Sequence, residues 1–272
     1  MCLILFAHQL RPALPLVLLA NRDEYLDRAT APMAFWPEVA GVVGGRDLVA
    51  GGSWLGIGAD GRWAAVTNVR EGESSFPGAP SRGWLVRDYL QGRQAPAAFI
   101  AQLVPRMAAY ASFNLLLGNC TEVWYVSNRV TVPVRLLPGL YGLSNGRLDT
   151  PWPKVERGKA ALAALLGEQF PAVEQGFRLL ANQETFPDHH LPDTGIPLEW
   201  ERALSATFIV APERGYGTRS STVLLQSAGG ETLVVERSFA GVPDRWAQKS
   251  FRLQRRPAEA ALARQGIAIK TC

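Results

Sequence analysis

Cysteine, histidine and methionine are scarce, with three of each in 272 residues. The cysteines, Cys2, Cys120 and Cys272, form an odd and widely spaced set. Such a set makes a poor disulfide framework, so a reducing, cytoplasmic setting is expected. The histidines are His8 and the neighbours His189 and His190, and neither H-E-x-x-H nor C-x-x-C spacing occurs. No metal site and no required cofactor are therefore expected. Long apolar runs are missing too. The early stretch 13–20 falls far short of the roughly 20 residues of a membrane-spanning helix, and the run 3–7 has no basic residue ahead of it, as a secretory signal would. Blocks of like charge are also absent. The 28 basic and 24 acidic residues leave a net charge of +4, spread along the chain, which gives no nucleic-acid footprint.

What is present is an ordinary globular composition, 47% apolar and 19% charged, long enough for a sizeable core. One domain over 1–272 is expected. Short apolar runs at 2–8 and 16–20, separated by Arg11-Pro12-Ala13-Leu14-Pro15, predict a first hairpin. A second is predicted from 54–58 and 63–68, joined through Asp60-Gly61. Helices are expected over 81–91 and 96–110, the latter broken at Pro105. Further strands are expected at 113–117, 123–126, 130–136 and 140–143, and helices at 155–166 and 172–180. Strands return at 207–211, 221–226 and 232–236, and a last helix is expected at 258–264. The stretches 71–80 and 183–200 read as loops. Hairpin clusters with helices between them fit packed sheets covered by helices, not a doubly wound parallel sheet.

Two motif matches fail on context. Gly56-Ile57-Gly58-Ala59-Asp60-Gly61 has the dinucleotide-fingerprint spacing, but a strand and not a helix follows it. Gly51-Gly52-Ser53-Trp54-Leu55 lacks the last glycine of a nucleophile elbow.

Cys2 is the residue with the most chemistry. Removal of Met1 would give it a free α-amine, a base with a pKa of roughly 8 beside its own thiol. Nucleophile and proton acceptor would then share one residue. Pairing of the first two strands would bring Arg22 beside Cys2 and favour the thiolate. Asp23 can orient the α-amine by a charge-assisted hydrogen bond.

Met1-Cys2 followed by Ala20-Asn21-Arg22-Asp23-Glu24-Tyr25 resembles the NRDE family, that of transport and Golgi organisation protein 2 and its bacterial homologues. The resemblance continues in order through Gly51-Gly52-Ser53-Trp54-Leu55-Gly56, Ser81-Arg82-Gly83, Phe113-Asn114-Leu115 and Leu143-Ser144-Asn145. It then runs through 148–154 (LDTPWPK), 216–222 (YGTRSST) and 236–239 (ERSF).

The resemblance implies an α+β, four-layer αββα sandwich of two largely antiparallel sheets flanked by helices, the N-terminal-nucleophile-hydrolase-like fold. Cysteine members of that wider fold, such as penicillin V and bile-salt acylases, hydrolyse amides. By that analogy Cys2 is the nucleophile, Arg22 and Asp23 stand beside it, and Asn68 and Asn145 are candidates for the oxyanion. The acylases space their Arg and Asp more widely than the adjacent pair here. Arg219, Trp54 and Asn21 are candidate substrate contacts, and Trp63, Trp84, Trp152 and Phe113 can join Trp54 in lining an apolar pocket. Two functional expectations follow. One is amidohydrolysis of a non-peptide C–N bond. The other is a non-catalytic protein that carries haem or acyl-CoA and other lipids, with haem as cargo ligated by Cys2 or His8.

Overall fold

The chain opens with a hairpin of β1 (Cys2–Arg11) and β2 (Leu14–Tyr25), buried continuously over Leu3–His8 and Leu16–Asp23. Ile4, Phe6, Leu16 and Leu18 enter one core cluster, while Leu3, Leu5, Val17 and Leu19 enter another. Strands apolar on both faces must be covered on both, and these two lie inside a sheet, not at its edge. The computed structural model describes residues 2–72, 78–167, 173–240 and 242–255.

Among the described residues there are two seven-stranded sheets, antiparallel throughout. The second is a meander in chain order: β3 (Thr30–Phe35), β4 (Val42–Asp47), β5 (Leu55–Gly58), β6 (Trp63–Asn68), β7 (Phe113–Gly118), β8 (Val123–Ser127) and β9 (Val134–Arg135). In the first sheet, β10 (Gly139–Leu143) flanks β1. On the other side of β2 come β12 (Tyr216–Gln226), β13 (Glu231–Phe239) and β14 (Trp246–Gln254), with the short β11 (Val210–Ala211) paired to β12.

Between the sheets, Phe6, Leu18 and Leu224 of the first meet Trp63, Leu116 and Tyr125 of the second. On the outer face of the second sheet, α1 (Gly83–Gln91) and α2 (Pro96–Leu103) bring Leu85, Tyr89, Phe99 and Leu103 onto Leu115 and Leu117. On the outer face of the first, α3 (Pro153–Gly167) and α4 (Val173–Leu180) place Val155, Leu162 and Phe177 against Leu5, Leu19 and Val223. Each such aliphatic or aromatic side chain contributes roughly 1.5–3 kcal/mol on burial. The layers are the expected αββα sandwich.

Both anticipated hairpins form, and α2 stops at Leu103, where the chain tightens into a 3-10 segment, Val104–Ala109, around Pro105. Elsewhere the pattern misleads. The run expected at 130–136 pairs only through Val134–Arg135, and that at 207–211 only through Val210–Ala211. Three strands and a helix were not anticipated: β3, β4, β14 and α5 (Leu198–Leu204). The helix expected at 258–264 lies outside the described residues, as does the middle of the loop at 71–80.

Candidate active site

The strand register brings the two central residues together. Cys2 is paired directly with Arg22, and Arg22 with Ser220 and Ser220 with Ser238 across the next strands. Paired residues project to the same face, so these four form a polar row at the end of the layer that Ile4, Phe6 and Leu18 fill further in. Arg22 is buried, and its guanidinium lies 4.3 Å from the ring centre of Trp54. Cation–π contact and burial together fix this side chain at about the level of the thiol.

Cys2 lies in a cleft of about 280 Å³, lined also by Arg22, Asp23, Glu24, Ser53, Trp54, Asn68 and Arg82. The far wall comes from the second sheet. It depends on a backbone-to-backbone contact that only glycine permits. Gly52 has φ +106°, and a Cβ there would stand 2.5 Å from the carbonyl carbon of Gly83. Ser53 N–H donates to the Gly83 oxygen at 3.1 Å, which clamps the start of α1 to the loop before β5. Arg82, the residue before α1, is thereby held at the cleft. Trp54 in turn needs Gly45, where a Cβ would meet its ring at 2.1 Å.

Burial pushes the Cys2 thiol up. The positive N-terminus opposes that, Asp23 adds to it, and Arg22 and a hydrogen bond from the Asp23 backbone N–H lower it. The Asp23 carboxyl is likewise raised by burial, against the pull of Lys154, the N-terminus, the Thr218 hydroxyl and Arg22. Thr218 Oγ1 donates to Asp23 Oδ1 at 2.7 Å. Lys154 at the start of α3 is buried, donates to the Leu204 oxygen at 2.8 Å, and is pushed down to about 8 by that burial.

The two candidate oxyanion asparagines differ. Asn68 ends β6, lines the cleft with Cys2, and makes no side-chain hydrogen bond to the described residues. Asn145 is fully buried, and its Nδ2 donates to the Asn68 backbone oxygen at 2.8 Å. It lines an adjoining cavity of about 430 Å³, which shares Glu24, Tyr25, Asn68 and Arg82 with the cleft and adds Arg70, Ile196, Trp200, Leu204 and Tyr216. Ser144, next to Asn145, donates to the Cys2 backbone oxygen at 3.1 Å.

The family model described as Transport and Golgi organisation 2 matches residues 1–241. The chain belongs to this family. It is 35% identical to the Bos taurus Transport and Golgi organization protein 2 homolog over 93% of this chain and all of that protein. It is 30% identical to the Drosophila melanogaster Transport and Golgi organization protein 2, over 89% of this chain and 93% of that one. Among solved structures, a Caenorhabditis elegans N-acylethanolamine-hydrolyzing acid amidase ortholog superposes with a TM-score of 0.50 at 12% identity, covering 82% of this chain and 92% of that one. That likeness shows the shared fold.

In this Transport and Golgi organisation 2 family member, several residues expected at the site serve the scaffold. Asn21 faces the helical side of the first sheet. Its Nδ2 donates to the Leu180 and Thr207 oxygens at 2.9 and 2.8 Å, and its Oδ1 accepts from Ser221. It is thus taken up away from the cleft. Arg219 sits at a β-bulge, where its Nη1 reaches the backbone oxygens of Tyr25, Leu26 and Arg28 and pins the chain leaving β2. It borders a separate small cavity, described below. Trp54 lines the cleft, whereas Trp63 and Phe113 are wholly buried in core clusters. Trp84 donates to the Ala50 oxygen, and Trp152 lies beneath Arg70. His8 is buried further along β1, roughly 20 Å from Cys2 by strand rise, and is not among the lining residues of the cleft or the adjoining cavity.

Sequence reasoning missed Arg82 and Lys154 as site residues. Both lie in motifs that carry the family resemblance, 81–83 and 148–154. That position was the available signal.

Proposed function

We propose that the protein is a cysteine amidohydrolase acting on a non-peptide C–N bond, with Cys2 as nucleophile once Met1 is removed. The observation that carries this reading is the meeting of Cys2, Arg22 and the uncommitted Asn68 amide in one cleft. In the reaction the α-amine takes the thiol proton, and the thiolate attacks the amide carbonyl. Asn68 Nδ2 stands ready to hold the resulting oxyanion, a donor worth roughly 3 kcal/mol of barrier. The proton passes to the leaving amine as the C–N bond breaks, giving a thioester on Cys2. Water then attacks the thioester, releasing the acid and restoring the thiol. Asp23 orients the α-amine, and Arg82 offers a cation to a polar end of the substrate. The fold neighbour's named activity, hydrolysis of N-acylethanolamines, is of this bond class.

The test is incubation of the wild type and Cys2→Ala with a panel of N-acyl amides. Released acid and an acyl adduct on the Cys2 peptide are measured, together with the intact mass. The wild type should lack Met1, turn over at least one amide and show the adduct. Cys2→Ala should fold and be inert. Full activity of Cys2→Ala would end the proposal.

A second reading is favoured by the adjoining cavity. Its size suits a small-molecule ligand, and Tyr25, Ile196, Trp200 and Tyr216 give it an apolar wall. In that reading the protein binds and carries haem or acyl-CoA without turnover. Flat titrations with both ligands would remove it.

A further inference from the structure

Behind Arg22, on the side away from the thiol, lies a second and smaller cavity of about 70 Å³. Arg22, Trp54, Arg219, Ser220 and Glu236 border it. By volume it holds about two water molecules. Three of its polar atoms are buried with no hydrogen-bond partner among the described residues: Arg22 Nη1, Ser220 Oγ and Glu236 Oε2. Their residues are 5%, 4% and 1% exposed. Native interiors rarely leave such atoms unpaired, and bridging water is the usual partner where room and polar groups coincide.

The register explains why these atoms converge. Ser220 stands beside Arg22 in the polar row, and Glu236 is two residues from Ser238 on the same strand, so it shares the inner face. The other carboxylate oxygen of Glu236 accepts from Met33 N–H at 2.6 Å and from Ser238 Oγ at 3.3 Å, which fixes the free oxygen toward the cavity. Glu236 belongs to the 236–239 motif, which the proposed mechanism leaves without a role.

We infer that Glu236 is a positioning residue for Arg22, acting through water held in this cavity, and that its charge modulates the field Arg22 exerts on Cys2. Ionised Glu236 offsets part of the guanidinium charge and so disfavours the Cys2 thiolate. Neutral Glu236 removes that offset, leaving Arg22 with its contact to Glu24, whose Oε2 lies 3.9 Å from Nη2. The charged groups acting on Glu236 are Arg22 on β2 and Lys249, its cross-strand partner on β14. Arg219 on β12 borders the same cavity. From β3 it meets a backbone N–H. Burial pushes Glu236 up to about 7, which puts the change within the neutral range.

The inference concerns thiol chemistry and extends the proposed nucleophilic role of Cys2, but its test does not need turnover. The rate of Cys2 alkylation by iodoacetamide is measured from pH 5 to 10 by mass spectrometry of the Cys2 peptide. Beside the inflections of the thiol and the α-amine, the wild-type profile should show one near neutrality that belongs to Glu236. Glu236→Gln should lack that inflection and react roughly threefold to tenfold faster at neutral pH. Ser220→Ala removes one water partner and should shift the profile in part, which keeps the test available if Glu236→Gln does not fold. Profiles of Glu236→Gln or Ser220→Ala that superpose on the wild type, or a slower Cys2 in Glu236→Gln, would overturn the inference. An inert protein whose profile carries the Glu236-dependent inflection would count against the amidase reading alone. An active amidase with superposed profiles would count against Glu236 alone.

Discussion

Asn145 donates its Nδ2 hydrogen to the backbone oxygen of Asn68 at 2.8 Å. This bond joins the segment just past the first sheet's edge strand, β10, to the last residue of β6 in the second sheet. One asparagine sets where the other stands, so the two should fail differently. Asn68→Ala should lower turnover by roughly 100-fold to 1,000-fold with little change in melting temperature. Asn145→Ala leaves a buried carbonyl without its donor and should cost about 1–3 kcal/mol of stability. Kinetics and thermal unfolding of both variants, measured side by side, check the division. Equal loss of stability in the two would refute it.

The glycine contact at the cleft wall gives a second prediction. Gly52→Ala puts a side chain at φ +106° and 2.5 Å from the Gly83 backbone. Destabilisation of about 2 kcal/mol or more is expected, seen as a lower denaturant midpoint. Gly78 also has a positive φ, but a Cβ there meets nothing within 4 Å. Gly78→Ala should therefore cost less.

A buried ion pair supports the larger cavity. Arg70 Nη2 and Glu201 Oε2 are 2.9 Å apart, both residues at most 7% exposed, and Glu201 also accepts from Thr194. Glu201→Ala should cost about 3 kcal/mol or more and loosen the segment before α5. Hydrogen exchange over residues 191–204 reads that loosening.

Glu236 predicts a pH dependence of stability. Its carboxyl is pushed up to about 7 in the folded protein by burial, whereas an unfolded Glu titrates at about 4.3. Between those values the folded state holds the extra proton, so stability falls as pH rises through the window. The wild type should lose ~3 kcal/mol relative to Glu236→Gln from pH 4 to 8, with no further divergence above that. Urea unfolding at several pH values measures it. A constant difference across the range would contradict the burial argument.

The first hairpin, and with it the Cys2–Arg22 pairing, was legible because both strands are apolar runs with a proline-marked turn between them. The β5–β6 hairpin was legible through Asp60-Gly61. β3, β4 and β14 were not. β14 is an exposed edge strand rich in polar residues and so shows no inward pattern. β3 carries Pro32 at a break in its pairing with β4. β4 carries Gly44 and Gly45, where bulk is excluded by Trp36 and Trp54 packed on it. These are tertiary demands that no local window contains. Arg82 reaches the cleft through the Gly52–Gly83 contact between separate motifs. Asn21 is next to Arg22 on the strand but projects to the helical side, where Leu180 and Thr207 take up its amide, and a list of polar motif residues does not separate the two faces.

The turn between β1 and β2 is exposed and distant from the cleft, yet it sets which residue stands opposite Cys2. The pairing already slips once there, between His8 and Arg11, with Gln9 at φ +53°. Adding or deleting a single residue in that turn would leave composition and apolar content almost unchanged. It would nonetheless set Cys2 against Asn21 or Asp23 instead of Arg22, and would turn one strand's side chains to the wrong face. The turn is therefore a place where length matters more than residue identity, and where a change far from the thiol disarms it.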